Sequence, residues 1–326
     1  MPTPSHAFGP LVDAAWLRSR LGKPGLVVVD CRFRLGEPGV GERGWREGHI
    51  PGAAYLDVDR DLSAPPCERG RHPLPESADF EAAARRAGIG RDTRVVVYDE
   101  AGEGGAVRLW WLLRHFGHEH AAVLDGGLRA WSDEGGPLTA GPEEPHPGDF
   151  RARPRARDTV EAEELLKVAA GARGSAPGGE APASAQGGLA ASEAGQASVL
   201  LLDARPPERF RGEVELIDPV AGHIPGAVNV PFAELAPRGR FPSPTELRAR
   251  FEAVGATPDR EVVAYCGSGV TACTLVVAAE LAGLDPPKLY PGSWSEWSGR
   301  GYPAERQESA RSTESRSSGP GGVRSR

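Results

Sequence analysis

Lysine is nearly absent from this chain: Lys23, Lys167 and Lys288 are the only three among 38 basic residues. Methionine occurs once, aromatic residues make up 6%, and four cysteines are spread over 326 residues. Cys31, Cys67, Cys266 and Cys273 are too few for the disulfide framework of a small secreted scaffold. No apolar run approaches 18 residues, which excludes a membrane-spanning helix, and Met1 to Leu11 lacks the apolar core of a signal peptide. A net charge of -7 without long basic runs argues against nucleic acid as a partner. These absences point to a soluble cytoplasmic protein, in a reducing compartment that suits a free thiol.

The dominant positive feature is an internal repeat, the pattern to seek before any other. Leu26 to Asp30 and Leu200 to Asp203 are apolar runs ending in Asp. The box Gly-His-Ile-Pro-Gly-Ala occurs at 48–53 and again at 222–227. A valine-rich run leads to Asp99 in the first half and to Cys266 in the second. Trp131 and Trp297 close the series. Each landmark recurs in the same order at a nearly constant displacement, so the chain is two copies of one domain. The copies differ at the decisive place, because a carboxylate at Asp99 cannot do the chemistry of a thiolate at Cys266.

The run Cys266-Gly267-Ser268-Gly269-Val270-Thr271-Ala272 follows the strand-like Val262 to Tyr265 and opens a helical pattern from Ala272 to Leu284. Backbone N–H groups in such a turn converge on an anion, and a helix N-terminus adds positive potential. Both favour a nucleophilic thiolate. A buried cysteine acting as a small hydrophobe would not need glycines around a serine. Cys273, about two helical turns on, reads as a packed helix thiol.

Alternation of valine- and leucine-rich runs with helical patterns predicts parallel sheets covered by helices. Helices are expected over Val12 to Leu21, Phe80 to Gly88, Val107 to Phe116, Val160 to Ala170 and Thr245 to Gly255. Asp158 to Glu161 and Ser243 to Glu246 have the form of capping boxes. The expected division is an N-terminal domain, 1–145, a linker, 146–157, and a catalytic domain, 158–305. Residues 171–197, almost wholly small and polar, are expected as a disordered insertion, and 306–326 as a disordered tail.

These motifs resemble the tandem rhodanese sulfurtransferases, the family holding thiosulfate and 3-mercaptopyruvate sulfurtransferases. The likeness covers residues 10–165 and 198–303. It rests on the two Gly-His-Ile-Pro-Gly-Ala boxes, the Cys266 loop, and Gly292-Ser-Trp-Ser-Glu-Trp297. It implies an α/β fold of two rhodanese-like domains, each a mostly parallel sheet flanked by helices, the first catalytically silent. It also implies attack by Cys266 on a sulfur donor, a persulfide intermediate, and release to a thiophilic acceptor such as cyanide or a thiol. No metal and no cofactor is expected, nor a nucleic-acid or membrane partner, and a monomer is plausible because the repeat buries one domain against the other.

The resemblance also suggests site residues. Ser268 matches the hydroxyl that serves the leaving enolate, and His49 its histidine partner, with an aspartate expected near Glu37 to Glu42. Arg209 matches a donor-binding arginine, and Gly267, Gly269, Val270 and Thr271 form the loop around the sulfur. Arg205 lines the cleft or pairs with a local carboxylate. Gly267 and Ser268 stand where thiosulfate enzymes carry basic side chains, which favours 3-mercaptopyruvate. Asp218 stands where that type has a second arginine, which keeps thiosulfate in contention. A low-turnover persulfide carrier for a protein partner is the reading from another class. A phosphatase would need an arginine where Ala272 lies.

Overall fold

The computed structural model describes residues 8–143, 145–174 and 199–307. Two parallel sheets form its frame. The first contains β1 (Leu11–Val12), β2 (Leu26–Asp30), β3 (Ala54–Tyr55), β4 (Arg94–Tyr98) and β5 (Ala121–Leu124), in the order β1-β5-β4-β2-β3. The second contains β6 (Leu200–Asp203), β7 (Val228–Asn229), β8 (Val262–Tyr265) and β9 (Lys288–Leu289), in the order β7-β6-β8-β9. Strands β4 and β8 lie inside their sheets, and helices cover both faces. That is why they read as continuous apolar runs rather than alternating ones.

The repeat is exact in register. Asp30 pairs with Tyr98 at the ends of β2 and β4, as Asp203 pairs with Tyr265 at the ends of β6 and β8. The next residues are Asp99 and Cys266, so both loops emerge at the carboxyl end of a central strand, where open α/β sheets place their ligands.

The helix Gly105–His115 is buried at every position except Arg114. It packs against the helix Cys273–Leu281 of the second domain, which is also apolar nearly all round. One continuous core therefore runs through both domains, from Val29 and Leu109 to Cys273 and Val277. Trp131, Trp294 and Trp297 are fully buried beside it.

Local signals decide several ends. Ser243 and Glu246 form the expected capping box, with the Glu246 carboxylate accepting from the Ser243 N–H at 3.0 Å. The helix expected from Val12 is shorter, Ala14–Arg18, because Asp13 caps it by accepting from the Trp16 N–H at 2.6 Å. Asp158 caps no helix. It ends a 3-10 turn, and the helix Ala162–Gly174 starts beyond Glu161. Of the expected insertion, 171–174 extend that helix, and the remainder lies outside the described residues. So does the expected tail, apart from 306–307. No helix among the described residues is long and apolar enough to cross a membrane.

Candidate active site

Cys266 opens onto a cavity of about 330 Å³ between the domains. Its walls combine Gly267, Ser268, Val270, Thr271 and Arg209 from the second domain with Phe33, Arg71 and His72 from the first. Two other clefts, about 380 and 450 Å³, are comparable in size, but neither contains a cysteine.

The backbone N–H groups of the loop are not taken up by the fold. Among the described residues, no acceptor in the chain meets the amides of 267–272. The Cys266 N–H is held from behind by Ser293 Oγ at 3.1 Å, and that hydroxyl donates to Tyr290 O at 2.9 Å. Gly269 has φ +76, and a Cβ there would meet Pro291 O at 2.4 Å. Glycine is required for that turn. Gly269 does not line the cavity, contrary to expectation; it faces away, and its carbonyl accepts from Arg108 Nη1 at 3.1 Å.

The first domain shows what such a cradle holds. Asp99 Oδ1 accepts from the Gly102 N–H at 2.7 Å, and Oδ2 from those of Gly104 and Ala106 at 3.0 and 3.2 Å. In the first domain the carboxyl of Asp99 itself meets the N–H groups of its loop. Burial, reinforced by the nearby Glu103 charge and opposed by those N–H groups, pushes Asp99 up to about 7.

Ser268 has a partner that the sequence reading misassigned. Its Oγ lies 2.7 Å from Nδ1 of His72, whose Nε2 lies 2.9 Å from Asp59 Oδ1. His49 is elsewhere. Its Nδ1 meets Trp45 O at 2.6 Å, its ring stacks on Trp45, and Nε2 sits 3.6 Å from Glu143. His223 repeats that arrangement, with Nδ1 at 2.7 Å from Phe210 O, its ring stacked on Phe210, and Nε2 at 3.8 Å from Glu305. A histidine that does the same work in both copies serves the fold. The aspartate expected within 37–42 is likewise replaced by Asp59.

One signal for His72 was present. Arg69-Gly70-Arg71-His72-Pro73-Leu74-Pro75 recurs as Arg238-Gly239-Arg240-Phe241-Pro242-Ser243-Pro244. The copies thus differ by a histidine against a phenylalanine inside a repeated frame. Each loop reaches the opposite domain: Gly70 packs against Gly292, and Gly239 O accepts from the Gly126 N–H at 2.9 Å. Burial pulls His72 below the ordinary histidine value, against the raising effect of its bond to Asp59.

The arginines divide into two kinds. Arg205 borders the cavity, but its guanidinium is committed to Asp203, with Nη2–Oδ2 at 2.6 Å, and to Gly222 O at 2.7 Å. Arg32 makes the same bonds to Asp30 and Gly48 O, each at 2.7 Å, so Arg205 ties a strand end to the Gly-His-Ile-Pro-Gly box. Arg211 pairs with Glu213. Arg209 does face the cavity, its Nη2 bonded to Glu215 and, at 2.9 Å, to Asp218. Arg108 is fully buried and donates to the carbonyls of Leu62, His72 and Gly269. It joins the His72 loop to the Cys266 loop and forms no ion pair among the described residues. Burial pushes the Cys273 thiol up to about 12, an inert packed group. His115 stacks on Trp111 and His118 reaches Gly90 O, each within its own fold.

Known proteins resemble this chain over most of its length. The Rhodanese-like domain family matches residues 13–134 and 188–300. A Pseudomonas aeruginosa protein named "Probable 3-mercaptopyruvate sulfurtransferase" is 44% identical over 292 residues, covering 88% of this chain and 94% of the relative. A Mycobacterium tuberculosis protein named "Putative thiosulfate sulfurtransferase SseB" is 41% identical over 292 residues, covering 88% and 93%. The crystal structure of the Escherichia coli 3-mercaptopyruvate sulfurtransferase SseA superposes with a TM-score of 0.70 at 32% identity, covering 88% of this chain and 99% of that one. With two matched domains, two parallel sheets in equivalent register, and one cysteine-bearing cradle, the chain belongs to the rhodanese family.

Proposed function

We propose that this chain moves a sulfane sulfur from 3-mercaptopyruvate to a thiophilic acceptor, cyanide or a thiol, through a persulfide on Cys266. It is a sulfurtransferase whose donor is indicated by one observation, the Ser268–His72–Asp59 chain beside the nucleophile. Relatives named for 3-mercaptopyruvate support the same donor.

Proton positions follow from the partners. An ionised Asp59 only accepts, so neutral His72 keeps its proton on Nε2 and offers Nδ1 to the Ser268 hydroxyl. The donor's thiol proton passes through Ser268 to His72, and Asp59 steadies the imidazolium. Cys266 thiolate then attacks the donor sulfur. A sulfur–sulfur bond forms, the carbon–sulfur bond breaks, and its electron pair stays on the pyruvate enolate. His72 returns the proton through Ser268 to the enolate, releasing pyruvate. In the second half-reaction the acceptor attacks the outer sulfur and Cys266 leaves as thiolate, a ping-pong cycle. The amides of 267–272 stabilise the anionic sulfur in each half. Gly267, Val270 and Thr271 shape the wall, and Arg209 takes the donor's carboxylate.

Residues 1–145 act in this reading as the silent domain that lends His72 and Asp59, and 158–305 as the catalytic one. The protein works on small molecules as a cytoplasmic monomer. The name of the Mycobacterium tuberculosis relative favours thiosulfate as a second donor. That reaction expels sulfite and asks nothing of a proton relay.

Steady-state thiocyanate formation, with Cys266→Ala as control, decides between them. A kcat/KM at least tenfold higher with 3-mercaptopyruvate is expected. A preference for thiosulfate overturns the donor assignment, and no Cys266-dependent turnover with either donor promotes the protein-partnered carrier.

A further inference from the structure

The Asp99 loop of the first domain reaches the cavity at Cys266. Its tip meets the tip of the nucleophile loop: a Cβ on Gly104 would lie 2.9 Å from Thr271 Cγ2 and 3.3 Å from Val270 Cγ1. One residue earlier stands Glu103, the fourth residue after Asp99 as Val270 is the fourth after Cys266. Both line the cavity. The repeat thus brings a carboxylate to the nucleophile's cavity, at the place equivalent to an apolar side chain of the nucleophile loop.

Two amides fix this carboxylate. Glu103 Oε2 accepts from the Glu100 and Ala101 N–H groups at 3.0 and 3.1 Å. Among the described residues, Oε1 accepts no hydrogen bond and no cation pairs with the group. The arginines on the same wall are placed differently. Arg209 is bonded to Glu215 and Asp218, Arg71 to Asp218, and Arg205 to Asp203, while Arg34 lies 3.3 Å from Glu37. Each cation has a carboxylate partner, and Glu103 is the one acid among the described residues that lines the cavity. Its charge is felt by Asp99 at the root of its loop, where it adds to the raising effect of burial.

We propose that Glu103 is a specificity-determining residue, which disfavours dianionic sulfur donors at Cys266 more than monoanionic ones. This rests on the reading of Cys266 as the nucleophile of sulfur transfer. A potential acts in proportion to the charge that enters it. A cavity walled by protein screens that potential less than bulk water does. A donor with one negative charge, such as 3-mercaptopyruvate with its thiol protonated, meets the repulsion once, and thiosulfate meets it twice. As a rate ratio, the penalty on the dianion is the square of that on the monoanion. The Asp99 loop thereby ranks donors by charge, whereas the Ser268–His72–Asp59 chain ranks them by the proton their leaving group needs.

The test labels Cys266 of the full chain with methanethiosulfonates that share a reactive group and differ in charge: the 2-sulfonatoethyl anion, the neutral methyl compound, and the 2-(trimethylammonio)ethyl cation. Modification is followed on the Cys266 peptide by mass spectrometry. Glu103→Gln keeps an oxygen for the two amides and removes only the charge. It should speed the anionic reagent roughly threefold, slow the cationic one by a similar factor, and leave the neutral one within about 1.5-fold. About 0.5 M salt should shrink these differences. In turnover, the same variant should raise kcat/KM roughly threefold with 3-mercaptopyruvate and about tenfold with thiosulfate. A common change with all three reagents, or no charge-dependent change, overturns the filter. Because labelling needs no sulfur transfer, the order of reagents holds or fails whichever donor the chain proves to use.

Discussion

His72 Nδ1 meets Ser268 Oγ at 2.7 Å across 196 positions of sequence and across the boundary between two domains. Neither copy of the repeat contains both partners. The first domain therefore helps to build the cavity at Cys266, although it carries Asp99 where the second domain carries that cysteine.

The pH dependence of turnover follows from that contact. His72 is neutral when it accepts a proton, and burial holds it below the ordinary histidine value of about 6.5. With 3-mercaptopyruvate, kcat/KM should fall on an acid limb as His72 becomes protonated, and that limb should lie below the ordinary histidine range. Asp59→Asn removes the carboxylate charge that raises His72, so the acid limb should move to lower pH. His72→Gln should abolish the limb and cost on the order of 10²-fold or more with 3-mercaptopyruvate. With thiosulfate, the same variant should lose less than tenfold. Equal losses with both donors would refute the relay.

Asp99 makes stability depend on pH in the opposite sense to a salt-bridged carboxylate. Its folded value, about 7, lies above the value near 4 of an unfolded aspartate. Between these the folded state keeps a proton that the unfolded state releases, so this group's contribution is complete at low pH and lost as pH rises through about 7. Asp99→Asn removes the titration. From pH 5 to pH 8, wild type should lose about 2 kcal/mol relative to Asp99→Asn, read from urea midpoints. Parallel curves would mean that Asp99 remains an ionised anion in its cradle.

Ser293 holds a left-handed backbone at φ +52, where its counterpart in the first domain is Gly127 at φ +60. Such a conformation costs about 1 kcal/mol or more for a residue with a side chain. The hydroxyl is what the position retains, since it holds the Cys266 amide. Ser293→Ala keeps the strain and loses the bonds, so it should be destabilised by about 1–2 kcal/mol. Ser293→Gly loses the bonds and the strain together, and should be more stable than Ser293→Ala by about 1 kcal/mol. Both should lower sulfur transfer, because the Cys266 loop loses its rear support. A Ser293→Ala protein as stable and active as wild type would sink this account.

The two-fold repeat, the buried parallel strands, the Ser243 cap and the glycine turn after Cys266 were legible in the chain alone. These depend on neighbours within a few residues: apolar run length sets strand burial, glycine permits φ +76 at position 269, and side chains one helical turn apart cap a helix. The sequence misled at His49, because a box repeated in both copies marks what the fold needs twice rather than what the chemistry needs once. The tertiary structure alone decided that His72, Asp59 and Arg71 face Ser268 and Arg209. Their meeting depends on how the two sheets dock through the helices Gly105–His115 and Cys273–Leu281, and on a buried Arg108 joining their loops. Docking is set by the shapes of whole faces, which no local spacing along the chain encodes.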